Sequence, residues 1–179
     1  MTQVGSVYGE ALYELAKSEG LQESILEELK ALNESFRQEP GFIQLLSSHA
    51  ISKQERCKVL DDSFRGKINQ YVLNFLKILT EKGYMHHFSH CCEAYTRLYN
   101  EDNNILSVRA VTAVSLTDTQ SQALTQKLTR LTGKTILLEN RVDPTCLGGV
   151  RLDYDGQRLD DTISHRLDSV RELLKNTVL

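Results

Sequence analysis

The spacing of apolar residues changes once along this chain of 179 residues, near residue 104. Before that point, apolar side chains recur every three or four residues, which is the repeat of one buried helix face. After it, residues 105–114 are rich in β-branched side chains with apolar residues at even positions, which favours a half-buried strand. We therefore expect two domains, a helical one over residues 1–104 and a small α+β one over residues 105–179.

Breaks in the helical pattern divide the first domain into short helices. Gly20 ends the first helix, and Pro40 stops the second because proline lacks the N–H group that a continuing helix needs. Ser52 and Glu55 have the spacing of a capping box and open a further helix after a short apolar patch. We expect an antiparallel bundle of five to six helices. The clearest apolar stripes are Ile25, Leu29, Leu32, Phe36 and Ile68, Tyr71, Val72, Phe75, Leu76, Leu79.

The second domain is expected to have the order β-α-β-β-β-α, so that the whole chain is α+β and mostly helical. Asp155-Gly156 suits the tight turn of a hairpin, and Thr117 with Gln120 can cap a helix that Gly133 ends. The expected elements are a strand over 105–114, a helix over 117–133, strands over 135–142, 150–154 and 157–160, and a helix carrying Ile163, Leu167, Val170 and Leu174.

Composition narrows the classes of function. The chain has 21 basic and 24 acidic side chains, a net charge of −3, which argues against nucleic acid as the main partner. The densest apolar run, residues 71–79, is interrupted by Asn74 and Lys77, so we expect no insertion into a membrane. The acidic N-terminus does not resemble a targeting peptide, and the four cysteines lack the spacing of a disulfide or zinc framework. These features favour a cytosolic protein with reduced thiols.

Motifs for catalysis are scarce. Residues 132–135 (TGKT) resemble the end of a phosphate-binding loop, but Leu128 stands where that motif needs glycine, so we interpret the segment as a helix end. His86, His90 and Cys91 could form a metal site on a helix, although no second cluster completes it. We predict no catalytic residue, cofactor or metal. A metal-binding enzyme using these three residues is one alternative.

Several segments carry a family resemblance that covers nearly the whole chain. Residues 142–150 (VDPTCLGGV) are the most specific, and residues 8–16 (YGEALYELA) and 74–83 (NFLKILTEKG) match an opening and a fifth helix. Shorter matches are Val111-Thr112-Ala113, Leu116, Gln120, Thr132-Gly133-Lys134, Leu159-Asp160 and Arg166-Leu167. Together these segments resemble the delta subunit of bacterial F-type ATP synthase, the family of the mitochondrial oligomycin-sensitivity-conferring protein.

The resemblance implies a non-catalytic stator subunit. In that family, the helical domain binds N-terminal helices of the alpha subunits in the catalytic head, and the C-terminal domain binds the b subunits of the peripheral stalk. The stalk holds the head still, so that proton flow drives ATP synthesis. The implied location is the cytoplasmic face of the bacterial cell membrane, as a peripheral part of the complex.

The resemblance also suggests a binding groove between the first and fifth helices. The expected groove residues are Tyr8, Ala11, Leu12, Leu15, Asn74, Phe75, Ile78 and Leu79. Asp143, Pro144, Gly148, Gly149 and Asp160 are expected to shape the C-terminal domain. A free-standing helical regulator is a further alternative; it would need a basic stripe if it bound RNA, whereas residues 1–104 hold 11 basic and 15 acidic groups, net −4.

Overall fold

The computed structural model describes residues 3–48, 50–154 and 156–162. It divides into two compact units between Tyr99 and Asn100. Helices make up most of the described chain and a four-stranded sheet follows them, so the expected α+β, mostly helical class is confirmed. The predicted closing helix and Asp155 lie outside the described residues.

The described part of the first unit contains five α-helices and most of a sixth, which extends past the unit boundary to Asp102. Their bounds are α1 Gln3–Glu19, α2 Gln22–Gln38, α3 Pro40–Ser47, α4 Lys53–Phe64, α5 Gln70–Lys82 and α6 Phe88–Asp102, with a 3-10 helix over Met85–His87 before α6. Apolar side chains from all six meet in one core. Phe36 lies within it and contacts Phe42, Phe64 and Phe88, with ring centroids 5.5, 6.2 and 5.1 Å away.

Helix ends follow the local signals in the sequence. The hydroxyl of Ser52 accepts a hydrogen bond from the Glu55 amide, and the Glu55 carboxylate accepts one from the Ser52 amide, so the predicted capping box is confirmed. Gly83 and Gly133 end their helices in the left-handed conformation that glycine adopts readily. Residues 132–135 are therefore a helix end, as interpreted from the sequence.

The apolar patch between the second and third predicted helices is itself a helix, α3. Pro40 is its first residue, where the missing N–H costs nothing because the first amides of a helix have no partner within it. The proline thus ends α2 and begins α3. Leu46 of α3 is fully buried, and its carbonyl oxygen accepts a 2.8 Å hydrogen bond from the buried guanidinium of Arg56.

Helices α1 and α6 approach each other closely at Gly9. A Cβ atom at this position would lie 2.6 Å from the carbonyl oxygen of Cys91 and 2.8 Å from Cβ of Ala94. About one helical turn further along α1, the rings of Tyr13 and Tyr95 pack edge to face, with their centroids 5.2 Å apart. The absence of a side chain at Gly9 is therefore what permits this contact.

We expect Gly9→Ala to lower the free energy of unfolding by about 1–3 kcal/mol, because the added methyl group overlaps a backbone carbonyl. Gly41→Ala is the matched control: it lies in α3 with nothing within 4 Å of the added Cβ. Urea denaturation of the full chain compares the two variants. Equal stability of both would contradict the close approach.

The second unit is built on a four-stranded sheet with the order β2-β1-β3-β4. The strands are β1 Ile105–Thr112, β2 Thr135–Val142, β3 Val150–Tyr154 and β4 Gln157–Asp160, and helix α7 spans Asp118–Thr132 between β1 and β2. Strands β1 and β2 are parallel and in register over their whole length, whereas β3 is antiparallel to both β1 and β4. Leu124 and Leu128 of α7 cover a core formed by Leu106, Val108, Ala110, Ile136 and Leu152.

Gly149 lies in the connection from β2 to β3 and packs against Asp161, near the end of the described residues. Its φ is +81°, and a Cβ atom would lie 2.5 Å from the carbonyl oxygen of Asp161. The amide of Asp161 in turn donates to the carbonyl of Val150, 3.2 Å away. Glycine is therefore needed here both for its conformation and for its lack of a side chain.

We expect Gly149→Ala to destabilise the second unit by more than Gly156→Ala does. Both positions have positive φ, but a Cβ atom at Gly156 meets nothing within 4 Å, so that variant measures backbone strain alone. The difference, about 1–3 kcal/mol, is the cost of the steric overlap. Hydrogen exchange of the β1 and β3 amides is the measurement, and equal exchange rates in the two variants would refute the assignment.

Candidate functional site

Helices α1 and α5 lie side by side and run in opposite directions. Near the start of α1, the ring of Tyr8 meets that of Tyr84, just beyond the end of α5, at 5.9 Å and nearly edge to face. At the other end of α1, Glu19 accepts a hydrogen bond from Tyr71, in the first turn of α5. Contacts at both ends therefore hold the two helices against each other, and the predicted groove would lie between these contacts.

The structure divides the eight predicted groove residues into two sets. Leu12, Phe75 and Leu79 are 4, 6 and 0% exposed and belong to the core of the unit, so a partner cannot reach them while the bundle is intact. The surface set comprises the exposed Ala11, Leu15, Asn74 and Ile78 and the half-buried Tyr8. Leu15 and Ile78 are 40 and 45% exposed, which is high for large apolar side chains in a helical bundle.

Sequence analysis missed Val7, which is 58% exposed. Val7, Ala11 and Leu15 recur every four residues and form an outer stripe on α1, beside the inner stripe of Leu12 and Ala16. The four-residue spacing of these residues can be read from the sequence. Because apolar residues occupy more than one face of α1, however, periodicity alone does not separate the outer stripe from the core.

Charged side chains of α1 and α5 are paired with residues of neighbouring helices. Glu19 raises the pKa of Tyr71, first through its negative charge, and burial and their hydrogen bond act in the same direction. Glu10 of α1 pairs with Arg97 of α6 at 3.5 Å. Lys77 of α5 pairs with Asp61 of α4 at 2.7 Å. Glu10 and Lys77 are therefore engaged with α6 and α4, whereas Glu19 joins α1 to α5.

The predicted histidine and cysteine cluster has no metal-binding geometry. His86 is exposed, whereas Cys91 is buried, and burial raises the pKa of the Cys91 thiol to about 11. A thiol with so high a pKa is a poor metal ligand and a poor nucleophile at neutral pH. Across residues 3–48, 50–154 and 156–162, no group of three or more His, Cys, Asp or Glu side chains is arranged to hold a metal ion.

The segment after β2 forms a compact turn. The Asp143 carboxylate accepts hydrogen bonds from the hydroxyl and the amide of Thr145, at 2.6 and 3.0 Å, and these bonds lower the pKa of Asp143. Pro144 begins a 3-10 helix that ends at the buried Cys146. Asp160 makes the same pair of bonds with Thr162, at 2.7 and 3.0 Å. The predicted motif residues Asp143, Pro144, Gly149 and Asp160 thus form turns, and Gly148 lies half-buried between them.

A second polar contact ties this sheet to α7. The side-chain amide of Asn140 donates to the carbonyl of Ala110 and the hydroxyl of Thr112, at 3.0 and 2.9 Å, and its oxygen accepts from the amide of Leu116 at 2.8 Å. Asn140 therefore joins β2, β1 and the chain leading into α7.

The model of the ATP synthase delta (OSCP) subunit family matches residues 4–174. The chain belongs to this family. A relative from Alkaliphilus oremlandii, named ATP synthase subunit delta, is 32% identical over 176 residues, which cover 98% of each chain. A relative of the same name from Clostridium kluyveri is 29% identical over 167 residues, covering 93% of this chain and 92% of the relative.

A solved structure shows the same fold. A chain in the cryo-EM structure of the Toxoplasma gondii mitochondrial ATP synthase hexamer superposes with a TM-score of 0.78 at 20% identity, covering 97% of this chain and 98% of that one. In the described ranges, no helix combines the length and apolar character needed to cross a bilayer. As a member of the delta (OSCP) family, the protein is a non-catalytic stator subunit of F-type ATP synthase.

Proposed function

We propose that the groove between α1 and α5 binds the N-terminal helices of the alpha subunits. The observation that carries this proposal is the distribution of exposed apolar side chains. Four large ones are exposed in the described part of the first unit, and three of them, Val7, Leu15 and Ile78, lie on α1 and α5, the helices of the proposed groove. An exposed apolar stripe between two helices suits an amphipathic helix laid into it.

The dimensions of the groove support a helical partner. Val7 and Leu15 are eight residues apart on α1, which is about 12 Å, or roughly two turns of a docked helix. Ala11 lies between them and presents only a methyl group, so a partner backbone can approach closely there. Because Val7, Leu15 and Ile78 are 58, 40 and 45% exposed, burying their remaining surface supplies roughly 0.6–1.7 kcal/mol each before the costs of association.

For the second unit, we propose that residues 105–179 bind the b subunits of the peripheral stalk. Support comes from the family and from the surface of the unit: within its described part, six large apolar side chains are exposed. They are Val114, Leu131, Leu137, Val142, Leu147 and Leu159. With one domain on the head and one on the stalk, the protein would hold the head still at the cytoplasmic face of the membrane while protons drive rotation.

Ala11→Arg is expected to weaken binding of a synthetic alpha-subunit N-terminal peptide at least about tenfold, because the guanidinium fills the groove and loses hydration when a helix covers it. Isothermal titration calorimetry with the full chain measures the effect. Ala31→Arg, at an exposed alanine of α2, is the matched control and should bind like the wild type. Binding by Ala11→Arg as tight as that of the control would rule out the groove.

The two partners should protect different parts of the chain from hydrogen exchange. We expect the alpha-subunit peptide to slow exchange in α1 and α5, and a soluble b-subunit fragment to slow exchange after residue 104 only. Mass spectrometry of peptides from the full chain gives both patterns in one experiment. Protection of α1 and α5 by the b fragment would contradict the division of partners between the domains.

A further inference from the structure

Three histidines cluster where the chain passes from α5 into α6. The rings of His86 and His87 have centroids 3.9 Å apart, and those of His87 and His90 are 6.2 Å apart. His87 also lies 6.1 Å from Tyr84, whose ring meets Tyr8 of α1. The cluster therefore adjoins the end of the groove at which Tyr8 and Tyr84 hold α1 against α5.

The position of the cluster disfavours positive charge. His86 and His87 directly precede α6, and His90 is its third residue, so all three lie at the positive end of the helix dipole. The first turn of α6 contains no acidic residue. Burial lowers the pKa of His87, and the charges of His86 and His90 lower it further.

The surroundings of His90 point in the same direction. Its Nδ1 atom is buried and has no hydrogen-bond partner among the described residues. His87 and His90 are both half-buried, so a positive charge on His87 would lie close to a second imidazole ring and partly removed from water.

The charged groups at the adjoining parts of α5, α1 and α6 are either paired or exposed to solvent, including Glu93, which is three residues beyond His90 on α6. Helix α3, which packs on the 3-10 helix, contains no charged residue. At the end of α5, Glu81 accepts from the Cys57 thiol at 3.8 Å, and Lys82 is exposed. Glu10 of α1 pairs with Arg97, and Glu93 is exposed on the second turn of α6.

We propose that His87, packed between His86 and His90, is an acid-sensitive switch that loosens the Tyr8–Tyr84 end of the groove when the surrounding pH falls. The inference rests on the proposed groove for its effect on binding, but the switch itself acts on the helical unit alone. Because the folded state disfavours the protonated ring of His87, stability is full above the ordinary histidine pKa of about 6.5 and is lost as the pH falls below it. The alpha subunits would then be held less tightly in acid.

Histidine NMR titration of the full chain tests the switch directly. We expect His87 to titrate below about 6.5, and His86→Gln to raise its pKa by removing one repulsive neighbour. An unchanged pKa of His87 in His86→Gln would overturn the proposal.

The effect of the switch on binding is tested by measuring peptide affinity and melting temperature between pH 7.5 and 5.5. Carboxylates of ordinary pKa hardly titrate in that range, so histidines dominate any change. The wild type should lose at least about fivefold in affinity for the alpha-subunit peptide and about 3 °C in melting temperature. His87→Gln should lose less of both while binding normally at pH 7.5. If no peptide binds at any pH, the groove fails, whereas the NMR and melting experiments still decide the switch.

Discussion

The position of α1 is the constraint on which the helical unit depends. Gly9 lets α1 press directly against the backbone of α6, and that approach leaves the Val7–Leu15 stripe facing outward. Tyr84 and Tyr71 then hold the two ends of α1 beside α5. A bulkier residue at Gly9 would push α1 away from α6, so the position of α1 depends on a buried residue that packs against α6.

Apolar residues serve two purposes in this unit, and their burial separates them. Leu12 and Leu79 are nearly inaccessible and stabilise the bundle whether or not a partner is present. Leu15 and Ile78 gain little from folding because water still reaches them. If the proposed groove binds a partner, the apolar surface left for it is therefore confined to a few exposed side chains, which limits its cost in solubility.

Local signals made much of the fold predictable. The capping boxes at Ser52 and Thr117 and the bounds of β2 follow from short stretches of sequence, since each depends on residues at most a few positions apart. Helix α3 was missed because Pro40 was interpreted only as a stop, although it also begins a helix. The division of the groove residues between core and surface, and the contact at Gly9, depend on packing between distant helices, which periodicity does not record.

The pairing of β1 with β2 bears on how a stator subunit withstands torque. The two strands are parallel and matched at eight successive positions, from Ile105 with Thr135 to Thr112 with Val142. Tension applied along such strands in opposite directions loads the whole row of hydrogen bonds at once. The β3–β4 pair, in contrast, is matched at only four positions and lies at the edge of the sheet. A pull between β1 and β2 is therefore resisted by the longest row of paired positions in the sheet, which suits a stator subunit.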